Sequence, residues 1–187
     1  MQAQVPAQPT APAHAEPGVP VIDGINWLGI RTLYVKEVRR FFKVQMQTVW
    51  APAITTLLFL AIFTLALGGA KGEVLGFPYA TFLAPGLIVM GKRQNAFQNS
   101  QSSIIIAKVQ GTIVDVLMPP LSHGELLFCY VAGAVTRAWF VGVAIWIAML
   151  FWPGVTVSIA NPAQVFLFGT LGALMLGLLG VLTGIWA

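Results

Sequence analysis

Trp50–Leu67 reads WAPAITTLLFLAIFTLAL, an apolar run that contains no charged residue. With its flanking residues it reaches the length of about 20 residues that an α-helix needs to cross a bilayer. Within lipid, a single segment can satisfy its own backbone hydrogen bonds only as a helix. This stretch therefore predicts a transmembrane helix, and the rest of the chain is interpreted as a membrane protein.

The composition of the whole chain supports this interpretation. Of its 187 residues, 57% are hydrophobic and 9% are charged, and the mean hydropathy is +0.82. Soluble domains usually carry about 25% charged residues, so the apolar excess of this chain has to face lipid. We predict an all-α fold, a polytopic bundle of transmembrane helices. The net charge of +4 does not predict nucleic-acid binding, because the cations form no continuous basic surface.

Three further apolar segments accompany the first one. We predict four spans, at about 48–68, 78–103, 126–152 and 162–187. The last span continues to Ala187 without a charged flank, so the sequence looks cut off within or just after a membrane helix. Small residues recur on the third and fourth spans and predict close helix packing; they are Ala134, Ala138, Gly142, Gly169, Ala173, Gly177, Gly180 and Gly184.

The region before the first span has two parts. Residues 1–24 are rich in Pro, Ala and Gln, carry no signal peptide, and are predicted to be a disordered tail. Residues 27–47 are amphipathic at helical period, which favours a helix in the membrane interface over a soluble helix with solvated cations. Its basic stripe consists of Lys36, Arg39, Arg40 and Lys43, opposite Ile30, Tyr34, Val38, Phe41 and Phe42.

The distribution of cations predicts the orientation. Five cations precede the first span, Lys108 lies between the second and third spans, and the other side has Lys71. Because Lys and Arg accumulate on the cytoplasmic side, we expect the N-terminus and residues 104–124 to be cytoplasmic.

Catalytic, metal and cofactor sites are not predicted. Gly86–Arg93, GLIVMGKR, matches the start of a phosphate-binding P-loop, but Arg93 replaces the Ser or Thr that holds Mg²⁺, and the intervening residues are apolar. Cys129 is the single cysteine, and neither His14 nor His123 has a partner at metal-ligand spacing.

Residues 104–124 differ from a plain polar loop. An apolar pattern precedes Pro119-Pro120 and indicates a short amphipathic helix that the prolines stop. Ser122 and Glu125 have capping-box spacing for the next helix. From the pattern alone, the segment either docks a partner or is a linker that sets the angle of the third span.

A resemblance favours docking. The stretches LYVKEVRRFF (33–42), FPYATFLAPGLIVM (77–90), QNAFQNSQSSIIIAKVQGTIVDVLMPPLSHGELL (94–127) and VTR (135–137) resemble permease subunits of type-2 ABC exporters, and the likeness covers Trp27 to Ala187. It implies a six-span inner-membrane subunit that works as a dimer beside two ATP-binding subunits. It also implies that those subunits hold ATP and Mg²⁺, so this chain needs no P-loop.

 

By matching positions, the resemblance also implies site residues. Residues 27–47 would be the interface helix, and the segment 104–124 would be the coupling segment that contacts the ATP-binding subunit. The residues carried over for this contact are Lys108, Gly111, Ile113, Asp115, Val116, Leu117, Met118, Pro119 and Pro120.

Two departures from the family pattern are visible. The last two spans are missing, and Lys92 and Arg93 stand where the family has small or apolar residues. A cation at the centre of a span costs about 2.5–3.5 kcal/mol, which favours local strain or an altered sequence. The alternative is a hydrated path for an anionic substrate, lined by Lys92, Arg93, Gln94, Asn95, Gln98 and Asn99. Arg137 is expected to position its helix from within reach of the cytoplasmic interface.

The sequence allows three functions to be compared. The leading one is the membrane subunit of an ATP-driven exporter, and the alternative is a membrane scaffold that recruits a cytoplasmic protein and transports nothing. An ion-coupled carrier would place an acidic group inside its spans, and none of the four apolar segments has an internal Asp or Glu.

Overall fold

The computed structural model describes residues 24–44, 46–153 and 155–187. Its elements, in chain order, are α1 (Trp27–Lys43), a π-helical turn (Met46–Trp50), α2 (Ala51–Lys71), β1 (Glu73–Val74), β2 (Phe77–Pro78), α3 (Tyr79–Val109), α4 (Ile113–Leu117), α5 (His123–Leu150) and α6 (Pro162–Trp186). The all-α membrane helix bundle is confirmed. Apart from Gly24, the predicted N-terminal tail lies outside the described residues.

Among the described residues, three helical stretches are long and apolar enough to cross a membrane. They are Met46–Ala66, His123–Leu150 and Pro162–Trp186, which match the first, third and fourth predicted spans. The second predicted span falls in α3, which has 31 residues and is interrupted by polar side chains. At 1.5 Å per residue α3 is about 46 Å long. Its role as a span stays a prediction.

α3 is the central helix of the bundle, because it packs against α2, α5 and α6. Residues 86–93 lie inside it, so they do not form the loop between a strand and a helix that a P-loop requires. A two-stranded hairpin precedes α3, with Val74 paired to Phe77. The hairpin and α4 therefore mark opposite ends of α3, which we call the hairpin end and the α4 end.

Close approach of backbones holds α6 against α3. A Cβ atom at Gly184 would lie 3.2 Å from the carbonyl oxygen of Gln101, and one at Gly180 would collide with the carbonyl oxygen of Phe97. Small residues at these positions let the two helices meet without a hydrophobic driving force between them. The predicted role of the small residues in helix packing is confirmed for this pair.

α1 packs lengthwise along the first four turns of α5. Successive contacts join Asn26 to Glu125, Ile30 to Cys129 and Tyr34 to Thr136. Further along, the Phe41 and Phe140 rings lie 5.9 Å apart. The two helices thus run in the same direction from the α4 end. The predicted contact of α1 with lipid headgroups remains a prediction, and its packing on α5 was not foreseen.

An apolar cluster fills the hairpin end of the bundle. It joins α2, α3 and α5 with the segment after α5, and its buried members are Ala53, Leu60, Ala84, Leu87, Val141, Ile145, Met149 and Val155. This apolar cluster contrasts with the α4 end, where polar side chains are buried.

Candidate functional site

Residues 104–124, the predicted coupling segment, lie at the α4 end and present apolar side chains. Val116 is buried against Ile104 and Tyr130, which anchors α4 to α3 and α5. Leu117 and Met118 are 61% and 76% exposed. A five-residue helix held by one buried valine therefore offers its remaining apolar side chains to the outside.

The other residues predicted for the coupling contact lie around α4. Gly111 has a φ of +72°, a left-handed conformation that suits glycine and lets the chain leave α3. Lys108 donates a hydrogen bond of 2.6 Å to the carbonyl oxygen of Ile185. Val114, Asp115, Pro119 and Pro120 are exposed, and Ile113 is partly buried. The structure thus gathers the predicted set at one end of the bundle, and the contact with a partner stays a prediction.

A carboxylate joins this segment to α1. Glu125 accepts hydrogen bonds of 2.7 Å from the backbone N–H of Asn26 through Oε1 and from that of Ser122 through Oε2. The Ser122 hydroxyl accepts from the Glu125 backbone N–H, which confirms the predicted capping box. The Asn26 side-chain amide also donates to the carbonyl oxygen of Pro120. We call Asn26, Pro120, Ser122 and Glu125 the α1–α5 joint.

Deeper in the bundle, polar side chains of α1, α3 and α5 meet. Glu37 is 2% exposed and pairs with Arg40 at 3.1 Å, and it accepts a hydrogen bond of 2.8 Å from the Ser103 hydroxyl. Gly133 makes room for Glu37, because a Cβ there would lie 3.1 Å from the Glu37 Cβ.

Asn99 connects the two arginines of this region. Its side-chain oxygen accepts from Arg40 at 3.2 Å and from Arg137 at 3.3 Å. Arg137 also donates to the Asn95 side-chain oxygen at 3.1 Å. We call Glu37, Arg40, Asn95, Asn99, Ser103 and Arg137 the polar junction. Because it links three helices by directional bonds, it fixes their relative positions.

The polar junction changes two expectations. The helical period predicts that Arg40 lies on the outward basic stripe with Lys36, Arg39 and Lys43. Those three residues are exposed, whereas Arg40 turns inward to Glu37 and Asn99. Arg137 is 8% exposed and bonded to α3 rather than extended toward an interface. The geometric reason is the same for both: a buried carboxylate and amide oxygens offer these guanidinium groups hydrogen bonds inside the bundle.

Lys92 points between α5 and α6, and Arg93 points toward α6. The Lys92 ammonium lies 2.9 Å from the centroid of the Trp139 ring, a cation–π contact. A Cβ at Gly142 would lie 3.4 Å from the Lys92 Cδ. A Cβ at Gly172 would lie 2.8 Å from the Arg93 Nε. Lys92 is 5% exposed, so glycines and a tryptophan accommodate it within the packing.

A groove of about 250 Å³ lies between α2 and α3, on another side of α3. It is lined by Gln47, Ala51, Pro52, Thr55, Thr56, Phe59, Leu87, Met90, Gly91, Gln94, Asn95 and Gln98. Of the residues predicted to line a substrate path, Gln94, Asn95 and Gln98 border this groove, and Lys92, Arg93 and Asn99 do not. This groove therefore includes three of the six predicted path residues, and the substrate path stays a prediction.

Sequence reasoning missed Glu37 and the α1–α5 joint. Leu33, Glu37 and Phe41 are all buried and lie four residues apart, so the acid interrupts an apolar stripe of α1. An acidic residue within an apolar stripe is the feature of the sequence that could have predicted a buried carboxylate. The four apolar segments contain no internal Asp or Glu, as the sequence shows, and the buried carboxylate of Glu37 comes from α1, which precedes them. Among the described residues, no group of three or more His, Cys, Asp or Glu could hold a metal ion.

Comparison with known proteins decides the family. The model of the ABC-2 type transporter family matches residues 29–187. The chain belongs to the ABC-2 type transporter family. It is also 34% identical over 163 residues to proteins named inner membrane transport permease YadH from Escherichia coli (strain K12) and from Shigella flexneri, a match that covers 87% of this chain and 63% of each relative. No solved structure matches this chain.

The family match covers most of the described structure. The matched region begins in α1 and includes the polar junction, α4 and α6. The relatives are longer than the matched part, since the chain spans 63% of their length. Because the match covers only part of the relatives, the transport activity in their name enters for this chain only as a proposal.

Proposed function

We propose that this chain is the membrane-spanning permease subunit of an ATP-driven exporter of the bacterial inner membrane. The family and the permease relatives support a transport subunit. The observation that carries the ATP-coupled part is α4, which is anchored by Val116 and leaves Leu117 and Met118 exposed beside two prolines. Exposed apolar side chains clustered at one place favour a protein-binding site.

Two partners belong to this proposal, an ATP-binding subunit and a second permease copy. A separate ATP-binding subunit holds ATP and Mg²⁺ and binds the coupling segment, and a second permease copy completes the transport unit. The N-terminus and residues 104–124 face the cytoplasm, where ATP is available. Closure of the ATP-binding subunits on ATP pushes α4, and the bundle converts this push into alternate opening of the substrate path.

The contacts around α4 suggest how the push spreads. Val116 transmits the movement of α4 to α3 and α5, against which it is packed. The α1–α5 joint transmits it to α1, because Glu125 binds the backbone both at the start of α5 and at the start of α1. The polar junction then links the same three helices further along the bundle. α1, α3 and α5 would move as one unit.

A pair of leucines at opposite ends tests the proposal. Leu117→Asp introduces a charge on α4, and Leu75→Asp introduces one in the hairpin, where the side chain is 84% exposed. In the full-length protein we expect Leu117→Asp to abolish co-purification of the ATP-binding subunit and Leu75→Asp to leave it unchanged. Equal recovery of that subunit with both variants would contradict the proposal.

The scaffold remains the second candidate, since an exposed apolar α4 would also serve it. The two functions differ in what the partner does. For an exporter, the ATP hydrolysis rate of the partner changes when the joint is broken by Glu125→Ala, even where binding persists. For a scaffold, the partner binds and its hydrolysis rate does not respond to that variant.

A further inference from the structure

We propose that the groove between α2 and α3 binds an amphiphile with an uncharged, hydrogen-bonding head group and an apolar chain. This names the substrate class of the proposed exporter, and to that extent it rests on the proposed function. The binding itself is a property of the groove and is tested without ATP hydrolysis.

The first observation is a gradient of polarity along the groove. Gln47 lies in the turn before α2, and Gln98 lies on the α4 side of α3. Phe59, Leu87 and Met90 line the groove toward the hairpin end. Because α2 and α3 run in opposite directions, the amides lie together at the α4 end and the apolar side chains lie together about two turns deeper.

The second observation is unused hydrogen-bonding capacity at the polar end. Gln47, Thr55, Gln94 and Gln98 are exposed, and none of these side chains bonds to another residue in the described part of the chain. Gln47 and Thr55 belong to a stretch apolar enough to cross a membrane. Polar side chains at such positions face a cavity or a partner, because lipid cannot satisfy them.

The third observation is the direction of the charged side chains. Lys92 lies on Trp139, and Arg93 lies beside Gly172 of α6. Arg137 is separated from the groove by Asn95, whose side-chain oxygen it binds. No charged residue lines the groove within the described residues. A wall of amides and two hydroxyls, without a counter-ion, favours a neutral head group that both donates and accepts hydrogen bonds.

The volume fits part of such a molecule. About 250 Å³ holds a head group the size of one sugar ring together with the start of a chain. The groove is partly open to the outside, so the rest of a longer chain would extend beyond it into the lipid. An aromatic ring at Phe59 adds an apolar surface at the deeper end.

The experiment measures thiol labelling of the full-length protein in membrane vesicles. Gln98→Cys places a thiol at the polar end of the groove, and Leu65→Cys places one on the outward face of α2, where the side chain is 84% exposed. The native Cys129 is fully buried and gives the background. A hydrophilic methanethiosulfonate reagent is applied alone and with octyl glucoside, octyl sulfate or octyltrimethylammonium, each below its micelle concentration.

We expect the Gln98→Cys variant to be labelled about tenfold faster than the Leu65→Cys variant, because the groove is hydrated and the control faces lipid. Octyl glucoside at twice its dissociation constant should slow labelling of Gln98→Cys about threefold by occupying the groove. Octyl sulfate and octyltrimethylammonium should leave the rate unchanged. Adding Gln94→Leu should remove the protection by octyl glucoside.

Three results would overturn the proposal. They are equal labelling of both variants, protection by a charged probe as strong as that by octyl glucoside, and spontaneous disulfide formation between two Gln98→Cys copies, which would show that a second copy covers the groove. Thr55→Cys repeats the measurement from the opposite wall if Gln98→Cys does not accumulate. Because no partner is needed, loss of protection and failure of the Leu117→Asp experiment are separate outcomes.

Discussion

The polar junction and the apolar cluster hold the same two helices, α3 and α5, by different means. At the hairpin end, α3 and α5 meet through aliphatic side chains such as Leu87, Val141 and Ile145. Nearer the middle of the two helices they meet through Asn95, Asn99 and Arg137, with Glu37 and Arg40 added from α1. Dispersion contacts are non-directional, whereas hydrogen bonds and ion pairs require defined partners.

This difference predicts in which region a single substitution lowers the stability of the protein most. An apolar cluster tolerates changes that keep its volume. A buried polar group costs free energy when one of its partners is removed. The polar junction is therefore expected to be the sensitive region, and the following predictions are ordered from the largest expected effect to the smallest.

Removal of the Glu37 carboxylate is expected to have the largest effect. Glu37→Ala leaves Arg40 without its carboxylate partner, and breaking a buried ion pair costs about 3–5 kcal/mol. Because the Arg40 side chain is 29% exposed, we expect the lower end, about 3 kcal/mol. The free energy of unfolding in lipid–detergent mixtures measures it. Glu73→Ala, an exposed acid, is the control, and equal stability of the two variants would contradict the role of Glu37.

A matched pair of leucine substitutions compares the two regions directly. Asn99→Leu removes the acceptor that Arg40 and Arg137 share, and it should lower the free energy of unfolding by about 2–3 kcal/mol. Met149→Leu keeps the volume of the apolar cluster and should cost less than about 1.5 kcal/mol. Both side chains are essentially buried, at 1% and 0% exposure, so burial does not separate them. A larger loss for Met149→Leu would reverse the comparison.

The contact of α6 with α3 adds a third kind of packing. Gly180→Ala places a methyl group against the carbonyl oxygen of Phe97 and should cost about 2 kcal/mol through overpacking. Gly86→Ala, where no atom lies within 4 Å of the added Cβ, should be neutral or stabilising by up to about 1 kcal/mol. Thermal unfolding of the two variants side by side checks this; an unchanged midpoint for Gly180→Ala would mean that α6 lies further from α3.

The smallest effect is expected for a single hydrogen bond between α1 and α5. The Tyr34 hydroxyl lies 2.8 Å from the Thr136 hydroxyl oxygen. Tyr34→Phe removes this bond and should cost about 0.6 kcal/mol, the average for such bonds between membrane helices. Tyr79→Phe at the start of α3 serves as the control in the same unfolding assay. If Tyr34→Phe lowered the free energy of unfolding as much as Glu37→Ala, the hydrogen bond of Tyr34, and not the polar junction, would be the main contact that holds α1 on α5.

Local patterns predicted part of this structure. The spacing of Ser122 and Glu125 predicted the cap of α5, and small residues at intervals of four predicted the packing of α6. Each of these two signals lies within a single helix, the first in α5 and the second in α6. The same Glu125 also binds Asn26, a contact between residues far apart in the sequence that no local pattern contains.

The remaining features depend on pairs of helices. Lys92 is buried because Gly142 of α5 leaves room for its side chain and the Trp139 ring lies beside its ammonium group. The sequence around Lys92 does not reveal these two contacts. Arg40 fits the outward basic stripe by its period and turns inward because Asn99 of α3 accepts its hydrogen bond. The position of the groove likewise depends on how α2 lies against α3.

Photo-crosslinking from the two ends of α3 tests the central claim most directly. A benzoylphenylalanine replaces Met118, which is 76% exposed at the α4 end, or Leu75, which is 84% exposed at the hairpin end. Irradiation of cells that express the full-length protein is predicted to join the ATP-binding subunit to the variant at position 118 and not to the one at position 75. An adduct with that subunit from position 75, or its absence from position 118, would contradict the account.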